Sequence, residues 1–270
     1  MWLVRAKRKK RRKQRKNKPS HTNIGSEEEL RLVCETSDAG SLKYLQEMIS
    51  QRYKATTGKV PAHPLDKTKI LDIEEIFFHL LLRKNIPGRT QPERILTLSG
   101  HERFLDKAQT ITLGSWEEML DPKVVESNKV ILYGGAGVGK STLIVKIANA
   151  SIRVSPESPL AKFKLVFWLK LRQMQETSCG LEAILEQLLP GHKTLKKQDL
   201  KKLIEENEAE VAFLLDGLDE IPSNVLDSTT GEYRVEEILH DKILVRSFVL
   251  VTTRPHMLQY VLDVYPHYAR

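Results

Sequence analysis

Two cysteines, Cys34 and Cys179, are the whole thiol complement of a chain of 270 residues. Without ligand spacing between them they make neither a disulfide framework nor a zinc site, and so low a number suits a reducing compartment. No apolar run reaches the roughly 20 residues that a membrane-spanning helix needs. The opening Met1-Trp2-Leu3-Val4-Arg5 has no apolar stretch ahead of its charges, so no secretory signal is expected. His63, His79 and His101 lack partners at metal-ligand spacing and read as ordinary surface or boundary histidines. One absence is local: residues 5–18 hold no acid, against eleven Lys or Arg. Outside that stretch the chain carries 32 basic and 35 acidic residues, so the net charge of +8 belongs to a tail and not to the body.

What is present is the composition of a soluble globular protein, 40% hydrophobic and 29% charged, with room for one good-sized domain and an appendage. Residues 1–25 are low in complexity, bury no core, and are expected to be a disordered basic arm. Three readings of the arm stand side by side: a nuclear-localisation or nucleic-acid-binding patch, a contact with an anionic membrane, and a merely solvated tail. No aromatic residue is interleaved among its cations, which weakens any case for base stacking.

Residues 26–98 form a second unit, expected to be mainly helical. Leu42, Leu45, Ile49 and Tyr53 share one helical face after the turn-forming Asp38-Ala39-Gly40-Ser41, and Gly58, Pro61 and Pro64 break the pattern. The apolar run Ile73–Leu82 is compatible with helix or strand. Residues 99–270 are the third unit. There short apolar runs alternate with amphipathic helical stretches: Lys129–Tyr133, Phe163–Leu169, Val211–Asp216 and Ser247–Thr253 between helices near residues 141–150, 181–189 and 198–207. Such alternation predicts an α/β fold with a mainly parallel sheet between layers of helices.

The stretch Gly134-Gly135-Ala136-Gly137-Val138-Gly139-Lys140-Ser141-Thr142 fits G-x-x-x-x-G-K-[ST], preceded by a strand and followed by a helix. Glycines let the backbone wrap closely round a phosphate chain, and the N–H groups of the loop and first helical turn point at it. In that geometry Lys140 reaches the β- and γ-phosphates and the Ser141 hydroxyl ligates Mg²⁺. The run Val211–Asp216 ends in an acid that the sheet would bring to the same ion, with Asp219 and Glu220 just beyond. Those two carboxylates are candidates to orient or deprotonate an attacking water, or else cap the next segment or pair with a surface cation. Arg254, after the run Ser247–Thr253, suits a γ-phosphate by its planar guanidinium, or else makes a surface salt bridge.

Together, Gly-Gly-Ala-Gly-Val-Gly-Lys-Ser-Thr, Phe-Leu-Leu-Asp-Gly-Leu-Asp-Glu and Val-Thr-Thr-Arg-Pro resemble the NACHT domain of NOD-like receptors, among the signal-transduction ATPases with numerous domains. Phe167–Arg172 is similar to that family's second strand. The resemblance spans about residues 99–265 and implies a P-loop NTPase αβα sandwich with the Arg254 strand between the other two motif strands. It also implies ATP or ADP with Mg²⁺ as cofactors, residues 134–142 as the nucleotide-binding loop, and Ser141 and Asp216 at the metal. Asp219, Glu220 and Arg254 become the catalytic candidates of a slow ATPase. The implied function is a signalling switch that self-oligomerises and engages protein partners, cytoplasmic or, from the basic run, nuclear. A nucleotide-stabilised scaffold without turnover, or a nucleic-acid-binding ATPase using the basic arm, remain alternatives. A small-molecule kinase is disfavoured by the placement of the acids and Arg254. The family's later domains are not expected within a chain that stops at Arg270, which is read as a fragment or a short member.

Overall fold

The computed structural model describes residues 38–63, 66–73, 82–85, 110–175, 180–191, 195–226 and 231–264. The basic arm, both cysteines, His79 and His101 lie outside these residues, as does most of the Ile73–Leu82 run.

The main sheet is built from β5 (Lys129–Tyr133), β6 (Leu165–Lys170), β7 (Val211–Asp216) and β8 (Phe248–Thr253). All described pairings in it are parallel, and the order is β5-β8-β7-β6. The strand that precedes Arg254 therefore lies between the strand of the glycine loop and the strand ending at Asp216. Strands covered on both faces read as continuous apolar runs, and β8 is buried over all six residues. Phe167 of β6 and Phe213 of β7 lie in register, their ring centroids 5.4 Å apart. One member of this core is charged: Lys129 is 1% exposed and donates to the carbonyls of Leu244 (2.8 Å) and Ser247 (3.1 Å).

Helices flank the sheet and complete an α/β sandwich of the P-loop NTPase kind. α3 (Lys140–Ala150) buries Leu143, Ile144, Ile147 and Ala148, the one-face spacing of an amphipathic helix. α4 (Gly180–Leu188) buries Leu181, Ile184 and Leu188, and α5 (Lys197–Glu206) buries Leu200, Leu203 and Ile204. The shorter α2 (Pro122–Val125), α6 (Ser223–Leu226) and α7 (Val235–Leu239) lie in the connections, and α8 (Pro255–Val264) follows β8. Among the described residues no helix is long and apolar enough to cross a membrane.

Ahead of the sheet comes α1 (Asp38–Thr56), with Leu45, Ile49 and Tyr53 buried on one face. Asp38–Ser41, read as a turn, belong to this helix. The stretch read as mainly helical also holds the antiparallel pair β1 (Lys59–His63) with β2 (Asp66–Asp72), and β3 (Leu82–Asn85), which pairs antiparallel with β4 (Thr110–Leu113). Pro61 breaks helix, as expected, but next to a register shift between Pro61 and His63, where a strand accommodates a missing N–H. The second pair joins residues from either side of the expected boundary at 98 and 99.

Candidate functional site

The C-terminal ends of β5, β7 and β8 converge on the glycine loop. At its start the Gly134 amide donates to the Thr253 carbonyl (3.3 Å), which ties the loop to β8. Gly137 and Gly139 have φ of +74° and +96°, conformations that a β-carbon makes costly. Gly139 then caps α3 without a side chain, so the first helical N–H groups and the positive end of the helix dipole face the loop. Ala136 and Val138 are exposed on the loop's crest, and Thr142 is half-buried in the first turn of α3. This is the backbone of an anion cradle.

Lys140 folds back over the loop, its Nζ donating to the carbonyls of Gly134 (2.7 Å) and Gly135 (2.8 Å). Burial pulls its pKa below the ordinary lysine value, an effect that the nearby carboxylate of Asp219 opposes.

Ser141 and Asp216, far apart in sequence, meet: the Ser141 Oγ donates to Asp216 Oδ1 at 2.9 Å. The same oxygen accepts from Thr252 Oγ1 at 3.0 Å, and Thr252 Oγ1 in turn accepts from the Gly217 amide at 2.8 Å. Thr252 is 1% exposed, so β8 holds the end of β7 through a buried hydroxyl. Sequence reasoning named Ser141 and Asp216 and missed Thr252, which looked like one more β-branched residue of a buried strand. A hydroxyl and a carboxylate are hard oxygen donors of the kind that Mg²⁺ accepts, and so small a protein share suits an ion that keeps waters and phosphate oxygens. Among the described residues no group of three or more His, Cys, Asp or Glu could hold a metal.

Past Asp216 the chain turns at Gly217 (φ +85°) into a single 3₁₀ turn, Leu218–Glu220. Leu218 is buried and sends the two acids in different directions. Asp219 Oδ2 lies 2.8 Å from Arg254 Nε, with the Asp219 side chain only 4% exposed. Glu220 is exposed and lies between two arginines, 3.3 Å from Arg254 Nη2 and 3.7 Å from Arg172 Nη1. Arg172 stands in the turn after β6 and was not singled out from the sequence for this place. The three sequence-picked residues Asp219, Glu220 and Arg254 are therefore one ion-paired cluster beside Lys140.

A family model for the NACHT domain matches residues 128–265, from the residue before β5 to just past α8 and just over half of the chain. The chain belongs to the NACHT family. The match encloses the glycine loop, Asp216, the two acids and Arg254, and it makes this part of the chain a nucleotide-binding NTPase module. A search of curated proteins finds no match. In this NACHT domain the glycine loop and Asp216 lie at one end of the sheet, while Lys129 and the Asp241–Ser247 connection sit at the other.

Proposed function

We propose that this NACHT domain is an ATP-binding signalling switch with slow hydrolysis, in which Lys140 and the loop Gly134–Thr142 hold the phosphates. Ser141 and Asp216 would ligate Mg²⁺, with Thr252 fixing the carboxylate; the ion, when bound, would neutralise phosphate charge. Arg254 would contact the γ-phosphate, and Glu220, exposed at the edge of the cluster, would orient the attacking water. The observation that carries this reading is the 2.9 Å bond between Ser141 and Asp216 at the mouth of the glycine loop. A P-loop and a strand-end acid brought together in this way support a metal–triphosphate site rather than a generic glycine turn.

As a switch, the domain would gain or lose γ-phosphate contacts and so bias two conformations, one of them able to self-associate and engage protein partners. Innate immune signalling in the cytoplasm is the setting that the NACHT resemblance favours. The eleven cations of residues 5–18 add the alternative of a nuclear address or a polyanion contact. Phosphate release in the presence of Mg²⁺ tests the enzymatic part: Glu220→Gln is expected to slow it while leaving nucleotide binding intact.

A second reading, a nucleotide-stabilised scaffold, is favoured by one specific feature. Both carboxylates among the catalytic candidates are ion-paired to the third candidate, Arg254. Purified protein that retains ADP and shows no phosphate release would decide for the scaffold.

A further inference from the structure

Asp219 and Glu220 are adjacent acids whose surroundings differ. A 3₁₀ turn advances by three residues per turn, so neighbouring side chains point about 120° apart. Buried Leu218 anchors this turn, so one acid goes inward and the other outward. The inner carboxylate takes the Nε edge of Arg254 at 2.8 Å and is 4% exposed. The outer one touches Nη2 at 3.3 Å, is 38% exposed, and is shared with Arg172.

These two contacts do different work on a planar group. A 2.8 Å ion pair with a carboxylate that is only 4% exposed restrains the Nε side of the guanidinium, and breaking it strands a desolvated carboxylate. An exposed, longer contact at Nη2 exchanges readily for another oxyanion. We propose that Asp219 is a positioning residue for Arg254: it holds the Nε edge so that the Nη edge is presented to the nucleotide, where Glu220 gives way to the γ-phosphate. In this arrangement Asp219 takes no proton, and the two acids divide into a fixed holder and an exchangeable one. The inference rests on the proposed contact of Arg254 with the γ-phosphate and adds what aims it.

The test is a calorimetric comparison of a non-hydrolysable ATP analogue with ADP, both with Mg²⁺, on the full chain. Asp219→Asn and Arg254→Ala should each reduce the preference for the ATP analogue by roughly tenfold. The double variant should be no worse than Arg254→Ala, because the two changes remove one interaction. Undiminished preference in Asp219→Asn, or effects that simply add, would overturn the proposal. A second readout needs no nucleotide: magnetic-resonance relaxation of Arg254 Nε should show restricted motion in the wild type and in Glu220→Gln, and free motion in Asp219→Asn. Should Asp219→Asn fail to fold, the relaxation of Arg254 Nε decides alone: restricted motion that survives Glu220→Gln supports the proposal, and its loss overturns it. A wild-type chain that binds neither nucleotide contradicts the reading of the whole site; one that binds with its preference untouched by Asp219→Asn contradicts this inference only.

Discussion

The Tyr53 hydroxyl of α1 donates to the Val166 carbonyl and accepts from the Trp168 amide, each at 2.8 Å, at the outer edge of β6. A strand at the end of a parallel sheet leaves one row of backbone groups without a neighbouring strand, and a helix over the edge is one way to cover it. Here a single side chain satisfies a carbonyl and an amide at once, and so fastens the segment before the NACHT match to the sheet.

Replacing Tyr53 by Phe keeps the ring and removes both bonds, leaving two buried backbone groups unpaired. The expected cost is about 1–3 kcal/mol at neutral pH, measured by urea denaturation. The pH dependence has a definite sign. Burial raises the Tyr53 pKa above its ordinary value of 10.0, so the hydroxyl stays protonated in the folded chain where the unfolded chain ionises. Its contribution is complete below pH 10 and is lost as pH rises from there toward the folded pKa. The difference between wild type and Tyr53→Phe should therefore shrink above pH 10.

Thr252→Val tests the buried link between β8 and Asp216. Valine has the shape of threonine without the hydroxyl, so Asp216 Oδ1 keeps the Ser141 bond and the Gly217 amide loses its partner. The expected result is a loss of about 1 kcal/mol in stability together with a several-fold higher Mg²⁺ requirement for nucleotide binding. Titrating Mg²⁺ at fixed nucleotide reads the second effect directly. Equal Mg²⁺ requirements in both proteins would show that Thr252 serves the fold alone.

Lys129 lies at the opposite end of the sheet. Its ammonium holds the carbonyls of Leu244 and Ser247 and lies 3.2 Å from Asp241 Oδ1, while both Asp241 and Leu244 adopt positive φ. Lys129→Met fills similar space and leaves those oxygens without their cation, at an expected cost of roughly 3 kcal/mol in chemical denaturation. Nucleotide affinity, measured below the unfolding transition, should be unchanged.

The sheet was legible because its strands are short apolar runs separated by helices of clean amphipathic spacing, and because the glycine loop supplies an orientation. Asp216 was legible as the acid that ends such a run. The strands before residue 114 were not: β1 and β2 carry three lysines and a proline in place of an alternating pattern, and their pairing is set by partners that periodicity cannot show. In sequence Lys129 is only the first residue of the apolar run Lys129–Tyr133, since nothing local reveals a carbonyl cage formed by residues more than 110 positions away. The division of labour between Asp219 and Glu220 was likewise invisible, because sequence gives two adjacent carboxylates and only the 3₁₀ turn tells them apart. The hydroxyl of Thr252 was hidden by its own strand propensity.

The central claim is that the loop Gly134–Thr142 holds a nucleotide through Lys140. Calorimetric titration of the purified chain and of Lys140→Ala with ATP and Mg²⁺ tests it most directly. The account predicts saturable binding to the wild type and none to the variant with its fold intact by circular dichroism. Binding of equal strength to both proteins, or to neither, would contradict it.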